Sequence, residues 1–441
     1  LLFLVSEGIR QSGTLGQVIK KLLPQGKTTV FKAQLRILPS VAFISAFLNN
    51  TPVVVIFAPI IKHWAKSVKL PATKFLIPLS YVTILGGICT LIGTSTNLVV
   101  HGMILEAGYE GFTMFELGKV GIFIAIAGII YLFIFSKRLL PDARPDTAVP
   151  DEEVEEGEKL HRVEAVLGAR FPGINKKLSD FNFQRHYGAE VKEIKTRNGQ
   201  RYVNHLEDVV LREGDTLVVM ADDTFIPTWG ESSVFVLLTN GNDPDTSGKK
   251  KRWLALILLV LMIVGATVSE LPATKEMFPD IKLDMFFFVC ITTIIMAWTN
   301  IFPARKYTKY ISWDILITIA CAFAISKAMV NSGVADCVAG FIIGLSDDYG
   351  PHVLLAILFV ITNLFTELIT NNAAAALAFP LALSISAQLG VSPTPFFVVI
   401  CMAASASFST PIGYQTNLIV QGIGNYKFTD FVRIGLLLNI I

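Results

Sequence analysis

The sequence predicts a polytopic α-helical membrane protein: two inverted repeats with re-entrant hairpins and broken helices, and a small cytosolic α/β domain inserted between them. Three observations predict it. The 441 residues are 52% hydrophobic with a mean hydropathy of +0.57. Only 16% are charged, against roughly 25% in an ordinary soluble protein. Runs 74–104, 117–136, 253–272 and 285–302 approach the ~20 apolar residues that cross a bilayer. Finally, short motifs from the first third of the chain recur, in order, near its end. A β-barrel would instead show short alternating segments.

Three zones follow. Residues 1–140 are apolar, 141–252 are polar and charged, and 253–441 are apolar again. The first zone opens with "LLFLVSEGIR", as if in mid-helix. The middle zone has a strand pattern of its own. "AEVKEIKTRNGQRYV" reads as strand, turn, strand, with Asn198-Gly199 as the hairpin turn. "DTLVVMA" (215–221) reads as another strand. Both junctions are basic, "SKRLLPDAR" on leaving the first zone and "GKKKR" (248–252) before the next. The positive-inside rule therefore places this domain in the cytoplasm.

The outer zones repeat each other. "VSEGIRQSG" (5–13) matches "ISKAMVNSG" (325–333), and "FLNNTPVVVIFAP" (47–59) matches "LITNNAAAALAFP" (368–380). "GTSTNLVVHG" (93–102) matches "GYQTNLIVQG" (413–422), and "FTMF" (112–115) matches "FTDF" (428–431). The offset is 320 or 321 until the last pair. On this alignment, about two helices are expected ahead of residue 1 and part of one beyond residue 441. Two membrane halves with polar breaks in corresponding positions are the pattern of a secondary transporter.

The breaks carry the chemistry. An unpaired amide in hydrocarbon costs several kcal/mol by order of magnitude, yet Asn49-Asn50 and Asn371-Asn372 sit in apolar runs. Helix–helix hydrogen bonding explains a lone membrane asparagine, but not two pairs at matched positions. The apolar pieces around the first motif, 37–48 and 52–61, are about a dozen residues each. That length reads as re-entrant, with the motifs at the tips of two hairpins near mid-membrane. Irregular backbone is tolerated there only where it lines a cavity. "TLIGTSTN" (90–97) and "TPIGYQTN" (410–417) read as unwound stretches facing the tips, with Gly93 and Gly413 allowing close approach. Exposed carbonyls with Asn, Ser and Thr oxygens suit a hard cation such as Na+. Helix N-termini and amide or hydroxyl donors suit an anion. Neither tip motif contains Arg or Lys, so the anion would be held by neutral donors and co-bound cations.

In these motifs the chain resembles the divalent anion/sodium symporter (DASS) family, which transports sulfate and di- or tricarboxylates. Both membrane zones are covered. That family has two Ser-Asn-Thr motifs, each with a hydroxyl residue four positions earlier. Here Ser45 precedes Asn49-Asn50-Thr51, and Thr366 precedes Thr370-Asn371-Asn372. "TEL" before the second motif and "TPIG" (410–413) also match. The resemblance implies one sodium site from Ser45, Asn49, Asn50 and the Gly93 carbonyl. It implies a second from Thr366, Asn371 and the carbonyls of Ile369 and Ser409. It implies an anion site of Asn49, Asn50, Thr51, Thr370, Asn371, Asn372, Thr410 and Pro411. Asn49 and Asn372 depart from the family pattern, and Leu91 stands where the first half would carry the proline of "TPIG". These departures fit the sulfate-transporting branch with an inserted regulatory domain. "FPGINKKLSDFNFQRHYGAEVKEI" with "VVLREGDTLVVMA" resembles the TrkA-C (RCK C-terminal) domain, which implies dimerisation and a possible small regulatory ligand. Arg185, His186 and Tyr187 read as a solvated loop face or an anion contact.

Glu367 reads as a brace for the second hairpin, since the first half has Ala46 in its place; the other reading is a proton site. His101 reads as a polar helix-end residue. Glu7 and Lys327 read as residues reaching out from a helix end. The five cysteines have no zinc or disulfide spacing. The net charge of +2 and the lack of a basic patch interleaved with aromatics give no sign of nucleic acid. No Walker loop or Ser/His/Asp arrangement points to an enzyme, and no Thr-Val-Gly-Tyr-Gly loop points to a potassium channel. The expected protein is a multi-pass transporter of the plasma or inner membrane, a homodimer in the lipid bilayer. It would couple Na+ to a small divalent anion by alternating access, sulfate before dicarboxylate. A Na+/H+ antiporter or arsenite carrier of the same fold is the competing reading.

Overall fold

The computed structural model describes all residues except 25, 143–160, 169, 197–199, 223–224, 226–228, 230–233, 240–248, 270–273, 275–282, 284, 303–306, 312 and 345–349. The first zone forms helices α1 (Leu2–Gln11), α2 (Thr14–Leu22), α3 (Val30–Phe47), α4 (Asn50–Ser67), α5 (Leu76–Gly87), α6 (Ser95–Glu106) and α7 (Gly118–Leu139). The middle zone forms β1 (His161–Leu167), a short α8 (Phe183–Tyr187), β2 (Glu190–Lys195), β3 (Arg201–Tyr202), β4 (Thr216–Ala221) and β5 (Phe235–Thr239). The last zone forms α9 (Lys249–Ser269), α10 (Met285–Trp298), α11 (Tyr307–Tyr310), α12 (Trp313–Asn331), α13 (Val334–Gly344), α14 (Pro351–Leu368), α15 (Asn371–Leu389), α16 (Thr394–Ser405), α17 (Gln415–Gly424) and α18 (Phe428–Ile440).

Among the described residues, five of these helices are each long and apolar enough to cross a membrane. The side chains of α7 show why water is the wrong solvent. Ile122, Ile126, Ile130 and Ile134 recur every fourth residue and are each more than half exposed. A contiguous apolar stripe of this kind marks a surface made for another apolar phase, and the chain is an integral membrane protein.

The element order after the sheet follows the order before it. The α1–α2 pair turns at Gly13 (φ +71°) and the α12–α13 pair at Gly333 (φ +73°), 320 residues apart. A hairpin follows in each case, α3–α4 and α14–α15. Then comes a helix broken by an unwound stretch: α5, 88–94, α6, and α16, 406–414, α17. The run 74–104, apolar but expected to unwind around 90–97, is two 12-residue helices with a polar gap between them.

The hairpin arms correct the sequence estimate. They are 18 residues in α3 and α4, not about a dozen, and 18 and 19 residues in α14 and α15. At 1.5 Å per residue that is about 27 Å. The apolar run stops at Arg36, but the helix does not. Lys32, Gln34 and Arg36 have good helix propensity, and α3 continues back to a cap at Thr29, whose side chain accepts from the Lys32 amide. Pro39, Pro59 and Pro380 interrupt three of the arms, so the tip-side segments alone have the expected short length.

The middle zone folds into an antiparallel sheet of order β3-β2-β4-β1-β5 with a core of its own. Val163, Ala165, Leu167, Leu217 and Val219 pack with Phe171, Phe181, Phe183, Tyr187 and Phe235. Asn198-Gly199 lies outside the described residues, between the paired β2 and β3. The Arg185-His186-Tyr187 cluster does not form one face. Tyr187 is a core residue among aromatic rings, His186 stacks on Phe181, and Arg185 is exposed.

The sheet rests on the helices that build the site. Lys62, near the end of α4, pairs with Glu164 of β1 at 3.2 Å, and Lys195 of β2 pairs with the same carboxylate at 3.2 Å. Burial alone would raise the Glu164 pKa. The two ammonium groups and their hydrogen bonds outweigh it and hold the carboxyl down at about 2. On α17, Leu418 touches Gly214, and Gly422 touches Thr216 and Val166.

Candidate functional site

The site is built from four helix N-termini. α4 starts at Asn50 and α15 at Asn371, just past the hairpin tips, while α6 starts at Ser95 and α17 at Gln415, just past the unwound stretches. Contacts between the halves hold these ends together. Thr51 Oγ1 donates to Gln415 Oε1 at 3.3 Å. Thr96 Oγ1 donates to Asn372 Oδ1 at 3.2 Å, and Ser95 Oγ lies 3.5 Å from the same oxygen. The Tyr414 hydroxyl bonds Asn50 at 2.6 Å and Thr94 Oγ1 at 3.1 Å. Each tip thus meets the broken helix of the other half. Four N-termini directed at one region give it free backbone N–H groups and the positive ends of four dipoles.

The same hydrogen bonds hold both halves in shape. Thr90 Oγ1 donates to the Ala46 carbonyl, and Thr410 Oγ1 donates to the Glu367 carbonyl at 3.2 Å. Asn97 donates to the carbonyls of Thr90 (2.9 Å) and Gly87 (3.4 Å). Asn417 donates to those of Ser407 (2.8 Å) and Thr410 (3.2 Å). These bonds supply the partners that the unwound backbone loses by leaving the helix. Gly93 and Gly413 are needed because a Cβ at either would overlap backbone, Gly87 O in one case and Thr366 O in the other.

Oxygen atoms collect behind each central asparagine. Ser45 Oγ (2.7 Å) and the carbonyls of Thr83 (2.8 Å) and Gly93 (3.3 Å) surround one end of the Asn50 amide, whose Nδ2 donates to them, while Oδ1 at the other end accepts from the Tyr414 hydroxyl. In the other half, Thr366 Oγ1 lies 2.9 Å from Asn371 Oδ1 and 2.6 Å from the Ala404 carbonyl. One hydroxyl proton cannot serve both acceptors, so this cluster has an oxygen in excess.

The expected residues divide accordingly. Ser45, Asn50 and Gly93 come together, as do Thr366 and Asn371. Asn50, Thr51 and Asn372 face the opposite broken helix. Asn49 and Thr370 are N-caps that accept from the Thr51 and Ala373 amides. Ser409 lies on the unwound stretch, its amide donating to Glu367 Oε1 at 2.8 Å and its hydroxyl accepting from Asn439 at 2.8 Å. Ile369 lies at the hairpin break. Thr410 and Pro411 lie on the unwound stretch behind the second tip. Glu367 also accepts from Asn439 Nδ2 at 2.8 Å, so its carboxylate fastens the tip to the unwound stretch and to α18. His101 accepts from the Phe112 amide at 3.0 Å, and Glu7 pairs with Arg10 at 2.7 Å. Sequence reasoning missed Thr83, Ala404, Tyr414 and Gln415. The first two contribute only carbonyls, which leave no mark on residue identity. The other two lie inside the quoted motif "TPIGYQTN", opposite Thr94 and Ser95.

This fold and site define a polytopic membrane transporter. The model of the citrate transporter family (CitMHS) matches residues 1–386 and 281–441, and the chain belongs to that family. It is 29% identical over 525 aligned residues to an uncharacterized transporter of Synechocystis, covering 100% of this chain and 86% of that protein. It is 28% identical to a putative sulfur deprivation response regulator of Chlamydomonas reinhardtii, covering 100% of this chain and 90% of that protein. It is 33% identical to a probable sodium/sulfate cotransporter 3 of the same alga, covering 62% of this chain and 30% of that protein.

Proposed function

We propose that the protein is a secondary active symporter that couples Na+ to a small divalent anion, sulfate before a di- or tricarboxylate. The observation that carries this reading is the convergence of four helix N-termini, with two oxygen clusters immediately behind it. The N-termini and the amide and hydroxyl donors suit an anion. The clusters at Ser45–Asn50–Thr83–Gly93 and Thr366–Asn371–Ala404 suit dehydrated monovalent cations. Asn50 and Asn371 belong to both, so filling a cation cluster orients the donors that face the anion. The relative named as a probable sodium/sulfate cotransporter supports both co-substrates. The bonding of Glu367 supports a brace rather than a proton site, which favours symport over Na+/H+ exchange.

On this reading the outer zones are inverted repeats, and each carrier region, a hairpin with the opposing broken helix, moves against the remaining helices to alternate access. The sheet domain is cytoplasmic, as the basic junctions indicate, and belongs to the TrkA-C type. Its contacts with α4 and α17 support a regulatory role, and dimerisation of the whole protein follows from the family resemblance. The test is uptake of radiolabelled sulfate into proteoliposomes, with and without an inward Na+ gradient, with succinate as competitor. Sodium-dependent uptake that succinate does not reduce is expected. Competition by succinate would move the substrate to a dicarboxylate, and no uptake under either gradient would reject the reading.

A further inference from the structure

α2 packs against both α3 and α9, and these helices with the end of α1 enclose an open groove of about 700 Å³. Val18 and Leu22 of α2, Phe43 and Phe47 of α3, and Val260 and Ile263 of α9 are among its walls, and Thr14 and Ser40 are its only polar side chains. The charge around it is one-sided. Lys20 and Lys21 of α2, Lys32 and Arg36 of α3, and the run 249–252 that opens α9 are basic, and none of the three helices contains Asp or Glu. These bases gather at one end of the groove. Lys32 and Arg36 precede the first groove residue of α3, Pro39, and 249–252 precede the first of α9, Leu256. α2 joins the two basic starts: Thr14 Oγ1 donates to the Arg252 carbonyl at 3.3 Å, and Arg36 Nη2 donates to the Lys21 carbonyl at 3.0 Å. Lys21 lies one turn after Val18 and Arg36 one turn before Ser40, so both continue the groove-facing side of their helices. Trp253 is exposed at the same end, as tryptophan is at the level of lipid head groups.

We propose that the groove is a binding site for an anionic glycerophospholipid, with an acyl chain between α3 and α9 and the phosphate held by Lys21 and Arg36 beside the start of α9. The apolar walls alone do not select a lipid, because a chain that leaves the bilayer for the groove exchanges one apolar surrounding for another. Selection comes from the rim. A basic pocket between membrane helices holds an acidic head group, and a guanidinium matches phosphate oxygens in geometry. The Lys21 carbonyl engages one of the five guanidinium N–H donors of Arg36 and fixes the side chain at the rim. A zwitterionic head group finds no carboxylate on these three helices for its own cation, and Glu7 of α1 is engaged by Arg10 and Gln11. The groove runs along α3 to Phe47 and Leu48, next to Asn49, so the bound chain supports the outer arm of the first hairpin up to its tip. The site stands on the groove and its rim and does not depend on which ion is transported.

The test is native mass spectrometry of the full-length protein, titrated in detergent with phosphatidylglycerol or with phosphatidylcholine of the same acyl chains. Wild type is expected to bind phosphatidylglycerol in preference to phosphatidylcholine. Lys21→Gln combined with Arg36→Gln is expected to weaken phosphatidylglycerol binding roughly 25-fold, about fivefold for each basic residue, and to leave phosphatidylcholine binding unchanged. Val260→Trp keeps the rim and fills the groove from an exposed position, so it is expected to abolish the preferred phosphatidylglycerol binding; it carries the test should the double variant not fold. Equal affinity of wild type for the two lipids overturns the proposal. So does phosphatidylglycerol binding that the double variant keeps in full, and so does binding that Val260→Trp leaves intact, because each places the lipid on another surface. Absence of either bound lipid from wild type overturns it as well, and leaves the groove to another stretch of protein.

Discussion

The contact between Lys62 and Glu164 ties the sheet domain to a helix whose other end forms the candidate site. Lys62→Met removes the ammonium that makes that tie and keeps an unbranched apolar side chain in place of the lysine stem. The Glu164 carboxyl lies at about 2 rather than 4.5, which corresponds to roughly 3 kcal/mol in favour of its ionised form at about 1.4 kcal/mol per tenfold change. Two lysines share this, at equal distances of 3.2 Å, so the α4 contact contributes about 1–2 kcal/mol to docking. The lysine and glutamate side chains are 22% and 17% exposed, so solvent and salt screen the pair less than a surface one. Loss of the contact should raise transient separation of sheet and helix roughly tenfold. Hydrogen exchange of the full-length protein reads it, in β1 and around Leu418–Gly422 of α17. Lys192→Met, from an exposed pair with Glu190, should leave exchange unchanged. The depressed pKa also sets a pH dependence. The contribution is complete above pH 4.5 and is lost as pH falls through about 2, so wild type and Lys62→Met should converge in acid. Equal exchange in the two proteins at neutral pH would refute the reasoning.

Asn50→Ala and Asn371→Ala should each abolish uptake and leave a folded protein, because each asparagine serves a cation cluster and the facing site; near-normal transport in both would reject the assignment. Glu367→Gln removes the charge but keeps an acceptor for the Ser409 amide and Asn439. It should keep at least partial uptake with an unshifted pH profile, whereas a proton site predicts loss of pH dependence. Gly413→Ala places a Cβ against the Thr366 carbonyl. It should depress Na+ affinity more than expression level, as read by the Na+ dependence of uptake.

Much of the site was legible because its parts break a strong pattern. Asn50 and Asn371 stand in apolar sequence where an amide is costly, and the 321-residue offset links each to its partner. The unwound stretches were legible from their glycines and polar residues. The backbone carbonyls were not, since Thr83 and Ala404 could be any residue. Tyr414 was hidden by its own motif, for a tyrosine beside a polar break carries no mark until its hydroxyl is seen against Asn50 and Thr94. Hairpin arm length was misread because Lys32 and Arg36 end the apolar run without ending the helix. The Lys62–Glu164 pair joins residues 102 positions apart in two different zones, and no periodicity relates them.

The most direct test reverses the usual driving force. Proteoliposomes with equal Na+ on both sides are given an inward sulfate gradient, and radiolabelled Na+ is followed. The account predicts that Na+ accumulates above its equilibrium level until the sulfate gradient decays, and that Asn50→Ala abolishes the effect. Sulfate entry with no accompanying Na+ movement would contradict it, because the two oxygen clusters would then have no part in transport.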